Sequence, residues 1–257
     1  MASKNLRVGQ FQIEATGYDR KKVLFWYLAS NQAQQSMYLV HRGTSKNNPD
    51  DVLDDLDPEE LGTTNPSVKN DFPYLSSNAK HLFVAQGFHS RFKNQQVPIT
   101  AAVRLALKKY PSFSFVVIGH SLGAAWAFLD AGYFVSLSDI NARMTAIYTF
   151  GQPLLGSSTF VDGVSQQLGD RYVRIVNKND LIPHIGCLQC VQPLYIVEKW
   201  IQYIVPDTVI PTWIDCTGGD DLSCSAGLPC KVLSWSNHSA VGSFSMRGEF
   251  CNIRSNQ

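Results

Sequence analysis

No stretch of the sequence approaches about 18 consecutive apolar residues, the length of a membrane-spanning helix, so such a helix is excluded. The formal net charge is only +1, which gives no indication of nucleic acid or of an anionic membrane as a partner. Residues 1–7 also lack the apolar run of a signal peptide. What is present suits a globular chain: 257 residues, 44% hydrophobic and 17% charged, predict one domain over residues 1–257.

Cysteine is absent from the first 186 residues, and all six cysteines lie between Cys187 and Cys251. This crowding is typical of a region stapled by disulfides, which form in an oxidising compartment. Two alternatives stay open: reduced thiols in a cytoplasmic protein, or a zinc site at Cys187 and Cys190, which no second C-x-x-C completes. We expect a secreted protein whose leader is not represented in this chain.

Apolar periodicity predicts an α/β fold with a mostly parallel central sheet, an antiparallel N-terminal meander and flanking helices. The strands of the meander are expected at residues 8–15, 22–30 and 37–40. Buried strands and helices alternate after them, with strands expected at residues 115–118, 146–150 and 172–176 and helices at residues 96–110 and 122–137.

A strand, a Gly-x-Ser-x-Gly pentapeptide and an alanine-rich helix follow one another at residues 115–127. A nucleophile elbow requires this order, because its tight turn lifts the serine hydroxyl clear of the sheet. Gly119 and Gly123 fit the elbow because a Cβ there would collide with the neighbouring strand or helix. We therefore interpret Ser121 as a catalytic nucleophile, the alternative being a structural turn.

A serine nucleophile needs a base, and an acid that orients the base, in the chain order Ser, acid, His. Asp180 follows a buried strand, which places it at the carboxyl end of the sheet where α/β sites gather. His238 lies in a late loop that can fold back over the sheet, and we take it as the base. His184 is the alternative base, and His120 is interpreted as a packing residue. The glycosylation sequon at residues 237–239 overlaps the base, so we expect it to carry no glycan.

Residues 45–80 lose all periodicity and are rich in Asp, Asn, Ser and Pro. Residues 50–60 hold seven of the 21 acidic residues, and large apolar residues are few in this part of the loop: Val52, Leu53 and Leu56. A loop of this length in a compact domain is usually functional or disordered. It is either a lid over the site or a solvated acidic loop with no gating role.

Four motifs occur in order along the chain: Tyr38 to Thr44 with its Arg-Gly-Thr, Gly87-Phe88-His89 before a helix, the elbow with Thr149 to Pro153, and Asn177 to Pro183. With the late His238, this series resembles the fungal class 3 lipase family. That family includes filamentous-fungal and yeast triacylglycerol lipases and feruloyl esterases.

The resemblance implies an α/β-hydrolase fold in which Ser121, Asp180 and His238 form the catalytic triad. It implies that the backbone N–H groups of Thr44 and Leu122 form the oxyanion hole, and that the segment after Thr44 forms a lid. It also implies a further feature seen in yeast members, a disulfide between Cys216 and Cys224.

Residues and resemblance together predict a serine carboxylester hydrolase that acts on acylglycerols through an acyl-enzyme, with no cofactor and no metal. The acidic loop favours an alternative, an esterase on soluble or feruloyl esters or a phospholipase A1. A third alternative is an inactive lipase-like binding protein, although such proteins generally lose a triad residue. The expected partner is a lipid or other ester, with at most weak contact with a lipid interface.

Overall fold

The computed structural model describes residues 7–19, 24–43, 68–75, 82–185, 201–204, 213–216, 222–241 and 244–245. The main sheet within these residues contains nine strands: β1 (Arg7–Val8), β2 (Phe11–Asp19), β3 (Leu24–Asn31), β4 (Ser36–Arg42), β5 (Ser114–His120), β6 (Met144–Phe150), β7 (Tyr172–Asn177), β8 (Ile201–Ile204) and β9 (Trp213–Cys216). The α-helices are α1 (Val68–Asp71), α2 (Gln86–Lys109), α3 (Leu122–Val135), α4 (Ser138–Asn141) and α5 (Ser158–Leu168). A separate small hairpin pairs β10 (Ala240–Val241) with β11 (Phe244–Ser245).

The order of strands in the main sheet follows the chain from β1 to β9. Neighbouring strands are antiparallel from β1 to β4, parallel from β4 to β8, and antiparallel again between β8 and β9. Parallel neighbours need a crossover connection, which α2 supplies between β4 and β5, α3 and α4 between β5 and β6, and α5 between β6 and β7. The predicted α/β class, with its antiparallel meander and mostly parallel centre, is confirmed.

The helix predicted at residues 96–110 is longer than the prediction, because α2 begins at Gln86 and contains Pro98 in its interior. Proline has no N–H to donate and is tolerated best in the first turn of a helix. A proline at position 98 is therefore typical of a helix that begins near residue 96. Here Pro98 is exposed, and the carbonyl left without that donor can reach water. Burial of Phe88 and Phe92 in the core holds the N-terminal half of the helix that the prediction missed.

The core lies between the sheet and helices α2, α3 and α5. Phe115 and Val117 of β5 are fully buried, as are Ala124 and Ala125 in the first turn of α3. These small residues bring α3 close to the strand that precedes it. Although α3 is apolar, no helix among the described residues has the length and hydropathy needed to cross a membrane.

Candidate active site

Ser121 occupies the sharp turn between β5 and α3, with φ 59° and ψ −132°. A positive φ at a residue other than glycine is costly and persists only where the surrounding structure enforces it. The Ser121 N–H donates to the carbonyl of Phe150 at 2.9 Å, which ties the turn to the end of β6. The serine therefore has the strained backbone that the elbow interpretation requires.

Two glycines make this turn possible by letting backbone contact backbone. A Cβ on Gly119 would lie 2.3 Å from the Gly123 carbonyl oxygen, and a Cβ on Gly123 would lie 2.4 Å from the His41 carbonyl oxygen. Real Cβ atoms do not approach other atoms so closely. The expected collisions are therefore present at both positions, and α3 can begin directly against the ends of β4 and β5.

Asp180 and His238 form a buried pair at the carboxyl end of β7. Asp180 Oδ2 lies 2.9 Å from His238 Nδ1, and both residues are buried, with exposed fractions of 1% and 4%. Asp180 Oδ1 accepts a hydrogen bond from the Ile182 N–H at 2.9 Å, which fixes the rotation of the carboxylate. The histidine comes from the short 3-10 helix Trp235–Ser239. The carboxylate thus holds one ring nitrogen of His238.

His184, the alternative base, makes no such contact with Asp180 in the described structure. Its Nε2 atom is buried and has no hydrogen-bond partner among the described residues. Burial, and next the positive charge of Arg174, lower the pKa of His184 to about 4. The geometry pairs Asp180 with His238 and leaves His184 as a neutral, partly buried ring.

Gly151 is the residue that leaves room for this pair. Its φ is +56°, and a Cβ there would lie 2.8 Å from Asp180 Oδ2 and 2.9 Å from His238 Nδ1. The residue follows β6 within the Thr149 to Pro153 motif. The requirement for glycine in that motif is therefore both conformational and steric.

His120 does more than the packing that the sequence analysis assigns to it. Its Nε2 atom lies 2.8 Å from the His238 carbonyl oxygen, and the two rings stack with centroids 4.7 Å apart. Burial, and next the nearby His238, lower the pKa of His120 to about 4, so the ring is neutral near pH 7. The contact to a carbonyl requires a proton on Nε2, and His120 therefore donates a hydrogen bond that holds His238 in place.

Three asparagines join the segment carrying His238 to the segment carrying Asp180. Asn177 Nδ2 donates to the Asn237 carbonyl at 2.9 Å, and Asn237 Nδ2 donates to Asn179 Oδ1. The Ser234 N–H donates to the Asn179 carbonyl at 2.8 Å. The side-chain nitrogen of Asn237, which a glycan would modify, is thus engaged in this contact, and the absence of a glycan stays a prediction.

The two expected oxyanion donors differ in how far the structure describes them. Leu122 is the buried first residue of α3. Thr44 lies outside the described residues, but Gly43 immediately before it is described. A Cβ on Gly43 would lie 2.7 Å from Ser121 Cβ, so the Arg-Gly-Thr motif runs directly beside the serine up to that residue.

The remaining sequence predictions have separate outcomes. Cys216 and Cys224 form a disulfide, as predicted. Cys187, Cys190 and Cys251 lie outside the described residues, as does the acidic stretch at residues 45–60. Within the described parts of the chain, no group of three or more His, Cys, Asp or Glu side chains could hold a metal ion.

Residues 38–189 match the model of the class 3 lipase family. The chain belongs to the class 3 lipase family. The match spans the elbow, Asp180 and the Arg-Gly-Thr motif, and ends before the segment that carries His238.

Among class 3 lipases, the chain is 29% identical over 188 residues to a lipase of Rhizomucor miehei, covering 71% of this chain and 46% of that protein. It is 34% identical over 116 residues to a secreted mono- and diacylglycerol lipase of Malassezia globosa, covering 44% of this chain and 36% of that protein. The chain thus spans less than half of the length of each of these relatives.

Solved class 3 lipase structures share the fold. The Rhizomucor miehei lipase propeptide complex matches with a TM-score of 0.74 and 24% identity, over 93% of this chain and 70% of that one. The Lip2 lipase of Yarrowia lipolytica matches with a TM-score of 0.69 and 23% identity, over 90% of this chain and 79% of that one. At these identities the likeness establishes the architecture alone.

Proposed function

We propose that this class 3 lipase is a serine carboxylester hydrolase that acts on acylglycerols, with Ser121 as nucleophile, His238 as general base and Asp180 as the acid that orients it. The observation that carries the proposal is the buried contact of 2.9 Å between Asp180 and His238, at the carboxyl end of the same sheet as the strained Ser121 turn, two strands away. A nucleophile, a base and an orienting carboxylate are the set that acyl transfer needs.

The chemistry follows from these three side chains. The Ser121 hydroxyl attacks the ester carbonyl while His238 Nε2 takes its proton. This nitrogen makes no hydrogen bond to Ser121 or to any other described residue, so its contact with the hydroxyl is proposed to form in the complex with substrate. Asp180 keeps the proton of His238 on Nδ1 and stabilises the imidazolium that forms. His238 then protonates the departing alcohol, and an activated water cleaves the acyl-enzyme.

The negative charge of the tetrahedral intermediate needs two backbone donors. We assign them to Leu122, at the N-terminus of α3, and to Thr44, next to the Gly43 that touches Ser121. Losing one such donor typically costs about 10²–10³ in rate. No cofactor or metal is needed for this reaction, because the leaving alcohol is protonated by the same histidine that activates the serine.

Acylglycerols are proposed as substrates because relatives from Malassezia, Fusarium and Gibberella are named as secreted mono- and diacylglycerol lipases. The Cys216–Cys224 disulfide supports secretion here as well, since such bonds persist in oxidising compartments. The acidic composition of residues 45–60 favours the second candidate, an esterase on soluble or feruloyl esters or a phospholipase A1.

A fluorophosphonate probe tests the proposed reaction class directly. Such a probe reacts with a serine only where a base activates it, so we expect one adduct, on the peptide that contains Ser121. Peptide mass mapping locates the adduct. A protein that hydrolyses no ester and takes up no probe under the same conditions is the inactive binding protein instead.

Interfacial activation is expected to be weak, and short- or medium-chain esters to be preferred. Residues 45–60 offer only three large apolar side chains among seven carboxylates. At about 25 cal/mol per Å² these give a few kcal/mol of attraction to a lipid surface. The carboxylates oppose adsorption to anionic lipid, and salt screens that repulsion.

The measurement is the rate of hydrolysis of a short-chain ester followed across its solubility limit. We expect a smooth curve, and on anionic emulsions a rate that increases with ionic strength, with a neutral emulsion as the control. A sharp increase in rate as droplets form would identify residues 45–60 as an interfacial lid and contradict this expectation.

A further inference from the structure

A second buried histidine and aspartate pair lies behind the proposed oxyanion hole. His41 Nε2 is 2.9 Å from Asp130 Oδ2, within ion-pair distance but without the alignment of a hydrogen bond, and both side chains are only 3% exposed. His41 is near the carboxyl end of β4, opposite Gly119 in the sheet register. Asp130 is the one charged residue of α3. The contact therefore joins β4 to α3, beside a small cavity that Arg91 and Trp126 also line.

Each element of this contact leads to one of the two proposed oxyanion donors. Leu122, Trp126 and Asp130 are spaced four residues apart, so they follow one face of α3 from its first turn. On β4, His41 is two residues before Gly43, which contacts Ser121 and precedes Thr44. The pair thus connects the element that begins with Leu122 to the strand that ends just before Thr44.

Burial of the pair costs free energy, because its polar groups are removed from water. Burial raises the pKa of the Asp130 carboxyl, while the His41 ring lowers it. The indole N–H of Trp126 beside it has no hydrogen-bond partner among the described residues. Buried polar pairs can often be replaced by apolar side chains of similar volume without loss of stability. Packing alone therefore gives no reason for this pair.

We propose that His41 and Asp130 are positioning residues that hold the end of β4 at a fixed distance from the first turn of α3, and so set the geometry of the oxyanion hole. This inference rests on the proposed function. Backbone donors stabilise the developing oxyanion only when they are placed correctly, and a small displacement reduces the rate without weakening substrate binding.

The primary variant is Asp130→Asn, assayed with a soluble short-chain ester. We expect kcat to fall about tenfold while KM changes less than about twofold, because the affected contacts form only in the transition state. The second readout is the matched thionoester, in which sulfur replaces the carbonyl oxygen. Sulfur is a weak hydrogen-bond acceptor, so the variant should lose less on the thionoester than on the ester.

A double variant separates positioning from stability. His41→Phe with Asp130→Leu removes both polar groups, so no unpaired charge is left in the core. We expect its melting temperature to return toward that of the parent protein while kcat stays low. The matched control is Asp71→Asn, which disrupts another buried pair, His89 with Asp71 at 2.9 Å, between α2 and α1. That control should lower the melting temperature and leave kcat and the ester-to-thionoester ratio unchanged.

Three outcomes overturn the inference. Parental kcat in Asp130→Asn, recovery of kcat together with the melting temperature in the double variant, or equal losses on ester and thionoester would each make the pair merely structural. A different result would show that the proposed function is wrong: Ser121→Ala would then hydrolyse the ester at the parental rate. A Ser121→Ala protein without activity, combined with any of the three outcomes, refutes the positioning role alone.

Discussion

Replacing His238 by alanine is expected to lower kcat for ester hydrolysis by about 10⁴-fold or more, with little change in the fold. The substitution removes the proposed base for the Ser121 proton, so Ser121→Ala should show a loss of similar size. Asp180→Asn should lose less, because the carboxylate orients and stabilises the imidazole rather than moving the proton. The measurement is kcat for a soluble ester, with circular dichroism to verify the fold.

His184→Gln is the matched control for this prediction. His184 is close to Asp180 in sequence, but its pKa is lowered to about 4 and the structure pairs Asp180 with His238 instead. We expect its kcat to stay within about twofold of the parent. Full activity in His238→Ala, with a large loss in His184→Gln, would reverse the assignment of the base.

Gly151→Ala is expected to lower kcat by about 10²-fold or more, because the new methyl group would displace the pair that we propose activates the serine. Without such a displacement, the methyl carbon would lie 2.8 Å from Asp180 Oδ2 and 2.9 Å from His238 Nδ1. The backbone at φ +56° adds a strain of about 1–2 kcal/mol to any residue with a Cβ. Activity and melting temperature are measured together.

Gly169→Ala is the control that introduces the backbone strain of a positive φ without a collision with Asp180 or His238. Gly169 has the same φ of +56°, but a Cβ there meets nothing within 4 Å. We therefore expect Gly169→Ala to lower the melting temperature without lowering kcat. Similar kcat values in both variants would show that the Asp180 and His238 pair tolerates the methyl group, and that Gly151 serves the turn alone.

The sequence predicts those parts of the fold and site that depend on local patterns. The alternating apolar runs give the strands, and the Gly-x-Ser-x-Gly pentapeptide between a strand and a helix gives the Ser121 turn. Asp180 is predicted because a buried strand leads directly into it. His238 required a different argument: the chain order of the triad admits both His184 and His238, and the late loop that can fold back over the sheet favoured His238.

The sequence does not predict features that depend on contacts between distant segments. His120 donates to the carbonyl of a residue 118 positions later in the chain, and this partner cannot be inferred from the pentapeptide. The contacts of Asn177 and Asn179 with residues 234–237 cannot be predicted either, because they also join distant segments of the chain. The early start of α2 is not predicted because Pro98 is typical of a helix start. A proline inside a helix is tolerated where it is exposed, and exposure cannot be read from the sequence.

The order of strands in the main sheet has a consequence for folding. Each strand from β2 to β9 pairs with the strand synthesised just before it, so the sheet can grow by successive addition as the chain emerges. Each addition closes a loop between elements that are neighbours in the chain. His238 follows β9 in sequence, yet its partner Asp180 lies just after β7, so their contact can form only after β8 and β9 have been synthesised. Because the proposed triad needs this contact, recovery of hydrolysis during refolding is expected to follow the docking of residues 234–238, whereas the far-ultraviolet signal is expected to follow the growth of the sheet.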